Sequence, residues 1–327
     1  MISTRRNVVR VAGALLGANI ITLSTGASAQ DYPQRPVTVT VAYSPGGATD
    51  LQARIVSMMA ANEAYLGQPM IIVNRPGAGG KVGWTWFVTR AQKTGYDLAA
   101  YNLPHFIAQS IVLDARYGID NLEPIANWGA DPVVLVVGEG SPFRSLADFI
   151  AHARENPGRI TVSGAGLYVG HHIALLQFEQ ATGIELAYVP HSGATPALTS
   201  VLGRQVQAGF NNLSDAYRSR DQLKILAVAD LERDSEFLPD VPTFREQGVD
   251  VDDTSVNFRG IMAPKETPPE VIALLAERVA VMLRDENVVR RMKESGATMR
   301  VMGREAVLAM WRSRRESLQE LLAELRE

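Results

Sequence analysis

Three glycine-rich turns constrain this chain most, because each lies where a strand-like run gives way to a helix-like one. Residues 37–43 are β-branched and apolar, the pattern of a buried strand. They run into Ser44-Pro45-Gly46-Gly47-Ala48, with Thr49 and Asp50 as helix-cap candidates and a helical pattern over 51–65. Residues 70–73 lead through Arg75-Pro76-Gly77-Ala78-Gly79-Gly80 to a helical 82–91. Residues 160–163 lead through Gly164-Ala165-Gly166 to a helical 173–182. Repeated strand–loop–helix units predict an α/β fold with parallel strands joined by crossover helices.

The rest of the chain continues the pattern. Strands are expected at 96–101, 133–137, 186–189, 206–210 and 223–228. Helices are expected at 145–155, with Ser145 as cap and Asp148 in the first turn, and at 195–202. Two more are expected at 270–284 and 304–326, the last carrying Val307, Trp311, Leu318, Leu322 and Leu325 on one packing face. A length of 327 residues suits two cores. Chain crossings at 128–132 and 252–257 divide it into a first lobe of 31–130 with 256–327 and a second of 131–255.

Residues 1–29 read as a leader rather than as part of the fold. Arg5, Arg6 and Arg10 precede a short apolar stretch over 11–23, and Ala27-Ser28-Ala29 is a small-residue cleavage signal. The segment around Arg5-Arg6 resembles a twin-arginine export signal; a general secretory signal with the same charges is the alternative. Removing the leader takes away three arginines and no acid, leaving 29 Lys+Arg against 35 Asp+Glu, a formal charge of −6. Such a balance offers no basic field for nucleic acid.

The loops at the carboxyl ends of strands are where open α/β sheets carry their chemistry. Here they hold bare glycines and helix starts, which present amide N–H groups and the positive end of a helix to an anion. Turn geometry alone is the alternative for any one loop. Nucleotide motifs fail on spacing. A phosphate loop ending at Gly80-Lys81 would need its first glycine at Arg75 and a hydroxyl at Val82, and a dinucleotide fingerprint through Gly164 and Gly166 would need glycine at Val169. No cysteine is present, so thiolate metal sites and disulfides are excluded. No Gly-x-Ser-x-Gly elbow occurs, and the adjacent His171 and His172 point about 100° apart on a helix, unsuited to sharing a metal. Catalytic residues, metal and cofactor are therefore expected to be absent. An exported hydrolase or lyase using His172 or His191 with Asp215 is the rival class.

The ordered blocks resemble the substrate-binding receptors of tripartite tricarboxylate transporters, the Bug family. They are Tyr32-Pro33-Gln34-Arg35-Pro36-Val37, Pro45-Gly46-Gly47-Ala48-Thr49-Asp50, Leu66-Gly67-Gln68-Pro69, and Asn74-Arg75-Pro76-Gly77-Ala78-Gly79-Gly80. Asn156-Pro157-Gly158, Val189-Pro190 with Gly193, Leu238-Pro239-Asp240-Val241-Pro242-Thr243, and Ala263-Pro264 with Thr267-Pro268 follow in order. The resemblance implies a two-lobed periplasmic-binding-protein fold of type II with a cleft between the lobes. It implies an exported, monomeric receptor for a small organic acid that hands its ligand to a membrane permease. The ligand contacts it implies are Tyr43, Ser44, Gly46, Gly47, Ala48, Thr49, Gly79, Gly80, Asn102, Gly164, Gly166, Ser192, Asn211 and Asn212. Three further positions depart from the family pattern and are expected to tune ligand choice: Tyr168 and His191, each where the family has a different side chain, and Arg259, a candidate bidentate carboxylate partner.

Overall fold

The computed structural model describes residues 32–113 and 115–324. The leader, its cleavage site and Leu325 lie outside the described residues. In chain order the elements begin β1 (Val37–Val41), α1 (Ala48–Ser57), β2 (Met70–Asn74), α2 (Lys81–Arg90), β3 (Asp97–Asn102), α3 (His105–Val112) and β4 (Leu122–Asp131). Then come β5 (Val133–Gly138), α4 (Leu146–Glu155), β6 (Thr161–Gly164), α5 (Gly170–Thr182), β7 (Ala187–Pro190), α6 (Ala194–Leu202), β8 (Ala208–Asn212), α7 (Leu213–Arg218) and β9 (Leu223–Ala229). The chain closes with β10 (Asn257–Pro264), α8 (Pro269–Met282), α9 (Glu286–Glu294), β11 (Met299–Gly303) and α10 (Arg304–Glu324).

Two sheets result. One has the order β11-β4-β10-β3-β1-β2 and the other β7-β6-β8-β5-β9. Leaving aside edge strand β11, the two orders are the same: second, first and third strand of the half, then the inserted strand, then the fourth. β1 pairs with β2 and β3 in parallel, as β6 pairs with β7 and β8. The expectation of purely parallel sheets is corrected at the inserted strands. β10 runs antiparallel to β3 and β4, and β5 antiparallel to β8 and β9. Each enters directly from the neighbouring half, with no crossover helix to make it parallel.

The second sheet is packed on both faces. Val133, Leu135, Phe178 and Phe210 lie in one apolar cluster, and Val134, Val136, Leu198 and Val201 in another. Alternate residues of β5 thus feed opposite cores, which is why its run is continuously apolar rather than alternating. In the first half Trp84, Phe106, Tyr101 and Trp311 meet edge to face, with ring centres 4.9–6.1 Å apart. The α10 stripe packs as expected: Val307, Trp311, Leu318 and Leu322 are buried.

One helix prediction is corrected at both ends. α1 begins at Ala48 with Gly47 at the N-cap, so Thr49 and Asp50 lie inside the first turn. It stops at Ser57 rather than 65, because the chain tightens into three-residue turns and Asn62 takes over, its backbone oxygen accepting from Tyr65 and Gly67 and its side chain from Ala64.

Candidate ligand pocket between the glycine loops

The glycine loops converge at the carboxyl ends of β1 and β6. The pocket there is lined by Tyr43, Ser44, Gly47, Ala48, Thr49, His105, Ala165, His171, Ala194, Asn212 and Asn257. It is closed down to about 10 Å³, room for the centre of a single water.

Its most telling feature is the meeting of two helix starts. α1 and α6 are capped by Gly47 and Gly193, and neither cap offers a side-chain bond to its helix. A Cβ on Gly47 would lie 3.4 Å from Thr195 Oγ1, and one on Gly193 would lie 3.2 Å from Ser44 N. The two N-termini therefore face each other across the pocket, each the positive end of a dipole with unsatisfied amides. Bringing like ends together is unfavourable unless negative charge sits between them. Asp215, from the first turn of α7, partly meets that demand: its Oδ2 accepts from Asn212 Nδ2 at 2.7 Å and from Ala48 N at a long 3.4 Å.

Thr49 adds a directed donor. Its Oγ1 accepts from Asn102 Nδ2 at 2.7 Å and from Arg259 Nε at 3.2 Å. Both lone pairs of the hydroxyl are then filled, so its single proton is left to be donated from a residue that lines the pocket. On the opposite wall His171 Nδ1 accepts from Ala165 N at 3.1 Å, which puts the proton on Nε2, 3.2 Å from Asn212 Oδ1. Burial drives this imidazole down to about 4, so it is neutral near pH 7. His105 is likewise held well below its ordinary value by burial, and its Nδ1 accepts from Gly170 N, the first amide of α5, at 3.4 Å.

The lining holds no charged side chain, and the charges close by are tied up. Asp50 accepts from Gly46 N at 2.9 Å, Asn74 Nδ2 at 2.8 Å and Arg54 Nε at 3.1 Å. Burial opposes its charge, but these bonds prevail and hold its carboxyl below the usual value. Arg259 is fully buried, and all three of its guanidinium nitrogens are engaged. Nε donates to Thr49, Nη1 to Asp131 at 2.5 Å, and Nη2 lies 2.7 Å from the Asn257 amide, which must present its oxygen there. Asp131 also accepts from Ser214 N at 3.0 Å and Ser214 Oγ at 2.5 Å. This node joins the ends of β4, β10 and α7. The reading of Arg259 as a free bidentate partner is therefore revised: its donors are spent on the protein.

Of the other expected contacts, Tyr43, Ser44, Gly47, Ala48, Thr49 and Asn212 line the pocket. Gly46 is the left-handed residue (φ +82°) that turns the first loop, and its amide is taken by Asp50. Gly79 and Gly80 lie outside the lining. Gly79 O is held by Tyr43 Oη at 3.0 Å and by Gln109 Nε2 at 2.9 Å. Gly166 abuts Gly79, since a Cβ on it would come within 2.5 Å of Gly79 Cα. Gly164 ends β6, and a Cβ there would strike the Tyr188 ring. Asn102 supports Thr49 from behind. Tyr168 (φ +54°) donates its amide to His172 Nδ1 and sets its ring edge on that imidazole, away from the lining. His191 is half-buried, with its Nε2 buried and lacking a hydrogen-bond partner, and burial lowers its pKa. Ser192 is exposed and meets Ser44 at 3.4 Å. Asn211 is fully buried on the strand face opposite Asn212, and neither of its amide atoms has a hydrogen-bond partner.

Sequence reasoning missed His105, Ala165, Ala194 and Asn257 in the lining, and Gln109, whose Nε2 ties Gly79 O to Leu167 O at 2.9 Å each. It named His171 only as one of an adjacent pair. The rival acid–base pairs are not assembled. His172 Nδ1 is occupied by the Tyr168 amide, and the Asp215 carboxylate is paired with Arg218 and Asn212. Among the described residues no group of three His, Cys, Asp or Glu could hold a metal ion, and no helix is long and apolar enough to cross a membrane.

Two like-ordered sheets with a pocket at their strand ends define the α/β solute-binding fold of periplasmic receptors. The family model described as "Tripartite tricarboxylate transporter family receptor" matches residues 53–310, and the chain belongs to that family. Protein BugT of Bordetella pertussis is 32% identical over 87% of this chain and 88% of its own length. The periplasmic binding protein BugD matches in structure with a TM-score of 0.82 at 27% identity, over 90% of this chain and 98% of that one. MatC from Rhodopseudomonas palustris, solved with bound malate, matches with a TM-score of 0.80 at 27% identity, over 89% of this chain and 99% of that one.

Proposed function

We propose that the chain is a periplasmic receptor that closes two lobes on a small organic carboxylate and passes it to the membrane permease of a tripartite transporter. The observation that carries the reading is the convergence of two uncapped helix N-termini and the Thr49 hydroxyl on one pocket without a charged side chain in its lining. Such a site holds an anion by dipoles and amides instead of by a salt bridge. The similarity to MatC with its malate supports a carboxylate as the anion.

The lobes in this reading are 31–130 with 256–327, and 131–255. The division of strands between the two sheets supports it, with the Asp131–Arg259 node at the crossings. The leader over 1–29 is removed after Ala29 during export, and the mature chain works as a monomer. It binds without catalysis, because the imidazoles at the pocket are neutral and hydrogen-bonded and the nearby carboxylates are paired. Tyr43, Ser44, Gly47, Ala48, Thr49 and Asn212 are its ligand contacts, with His171 and Asn257 added from the geometry. His191 and Tyr168 reach ligand only as the cleft opens and closes around something larger than a water, and Asn211, buried on the opposite strand face, does not.

A thermal-shift screen of organic acids on the chain from Gln30 onward, followed by recovery of the bound acid, tests this. Stabilisation by an acid recovered unchanged is expected. Consumption of the acid would overturn the receptor reading in favour of an enzyme.

A further inference from the structure

Behind the pocket lies a second and larger cavity, about 410 Å³, between β11, α10 and the crossing that precedes β10. Asn257 lines the first pocket and Phe258, the next residue of β10, lines this one. Successive strand residues point to opposite faces, so the two cavities lie on either side of one strand. The size falls within the range of small-molecule sites.

Its walls combine an apolar surface with excess positive charge. Phe258, Met302 and Met310 supply the apolar part. The guanidinium carbons of Arg300 and Arg314 stand 5.4 and 5.6 Å from the centre of the Phe258 ring. Arg314 is paired with Asp253, Nη2 to Oδ2 at 2.5 Å. Arg300 is exposed and has no acidic partner within ion-pair distance among the described residues. Two guanidinium groups thus share one aromatic surface with a single acid in the wall. Asp230, outside the wall, acts on both arginines through space and makes no bond to either.

We propose that this cavity is a second ligand site, for a small monocarboxylate with an apolar body, in which Arg300 takes the carboxylate and Phe258, Met302 and Met310 take the hydrocarbon. A guanidinium suits the carboxylate because its planar fork can donate two parallel bonds. The cation already resting on an aromatic face leaves its edge free for them. The site stands on this geometry alone and does not depend on what the first pocket binds.

The test uses the full mature chain labelled with ¹³C at the methionine methyls, with benzoate as probe and benzamide as its neutral counterpart. Benzoate should move the Met302 and Met310 signals to saturation, and benzamide should do so at least about tenfold more weakly, the loss expected for a charge-assisted bond. Arg300→Ala, at an exposed position, should weaken benzoate by a similar factor while the other methionine signals stay in place. Gly47→Pro, in the first pocket, should leave the Met302 and Met310 response unchanged. The proposal is overturned if those two signals do not move, if benzamide matches benzoate, or if Arg300→Ala has no effect. Loss of acid binding at the first pocket with Met302 and Met310 still responding would count against the receptor reading and not against this site.

Discussion

Replacing Arg259 by Met tests the buried node at the strand crossings. The substitution keeps the volume and removes the charge. Asp131, whose side chain is 3% exposed, then keeps its negative charge in the interior with only the two Ser214 donors. Breaking a buried pair by removing one partner costs about 3–5 kcal/mol, chiefly because the remaining charge is uncompensated. Thr49 and Asn257 lose their bonds from the guanidinium at the same time. Asp131→Asn alone strands the arginine instead. The double variant Arg259→Met with Asp131→Asn buries no charge, and the new amide oxygen can still accept from Ser214. It should therefore be less destabilised than the sum of the singles by roughly 2–3 kcal/mol, the upper range for directly coupled residues. Urea unfolding of the four proteins at neutral pH measures this. A single-variant cost under about 1 kcal/mol, or additive costs in the double, would refute the assignment of Arg259 to the node. The folded fraction of Arg259→Met should lose affinity for monoacids and diacids alike, because the guanidinium acts on the pocket only through Thr49 and Asn257.

Burial depresses His171 and His172 to about 4, so their contribution to stability is present above the ordinary value of 6.5 and is lost as pH falls through about 4. Each is worth roughly 3 kcal/mol by linkage, and melting temperature followed from pH 7 to 4 should fall less steeply in His172→Phe, which keeps the stack on Tyr188. Asp230 has the opposite sign: half-burial pushes it up to about 6, so its contribution is present below its ordinary 3.8 and is lost as pH rises through 6. After discounting for its partial exposure, Asp230→Asn should gain on the order of 1 kcal/mol at pH 7.5 and nothing at pH 3.5, read from paired unfolding curves. Gly166→Ala places a Cβ 2.5 Å from Gly79 Cα at φ +142°, so it should block closure. X-ray scattering with saturating acid should show a larger radius for this variant than for wild type; equal radii would remove the Gly79–Gly166 contact from the closing surface.

Much of the fold is legible in the sequence because local pattern and burial agree. The runs around Val37–Val41 and Val133–Gly138 are β-branched and buried on both faces, and glycine turns mark where β1, β2 and β6 end. What stayed hidden lacks that agreement. β4, LEPIANWGAD, is buried at every position, yet its Glu123, Asn127 and Asp131 read as loop, since their partners Arg304, Tyr101 and Arg259 come from distant segments. β11 is an exposed edge strand, and α9 buries only Val288 and Met292. In the pocket, the glycine loops and Thr49 were readable as helix starts. His105, Asn257 and Gln109 were not, because nothing local distinguishes a polar residue that meets another loop from one that meets water. Arg259 stands out in the sequence by its charge and its departure from the family pattern, and only the fold shows that Asp131 claims it.

The most direct test of the central claim is calorimetric titration of wild type and Gly47→Pro with organic acids and their neutral amides, beginning with malate. Gly47 has φ −74°, a value proline adopts without strain, whereas Gly79 at φ +63° does not, so only the first substitution leaves the loop intact. Proline there removes one amide donor and sets its ring between the α1 and α6 starts. The account predicts that an acid binds wild type, that its amide binds at least about a hundredfold more weakly, and that Gly47→Pro keeps its melting transition but loses the acid. Equal binding of acid and amide, or unchanged affinity in a folded Gly47→Pro, would contradict it.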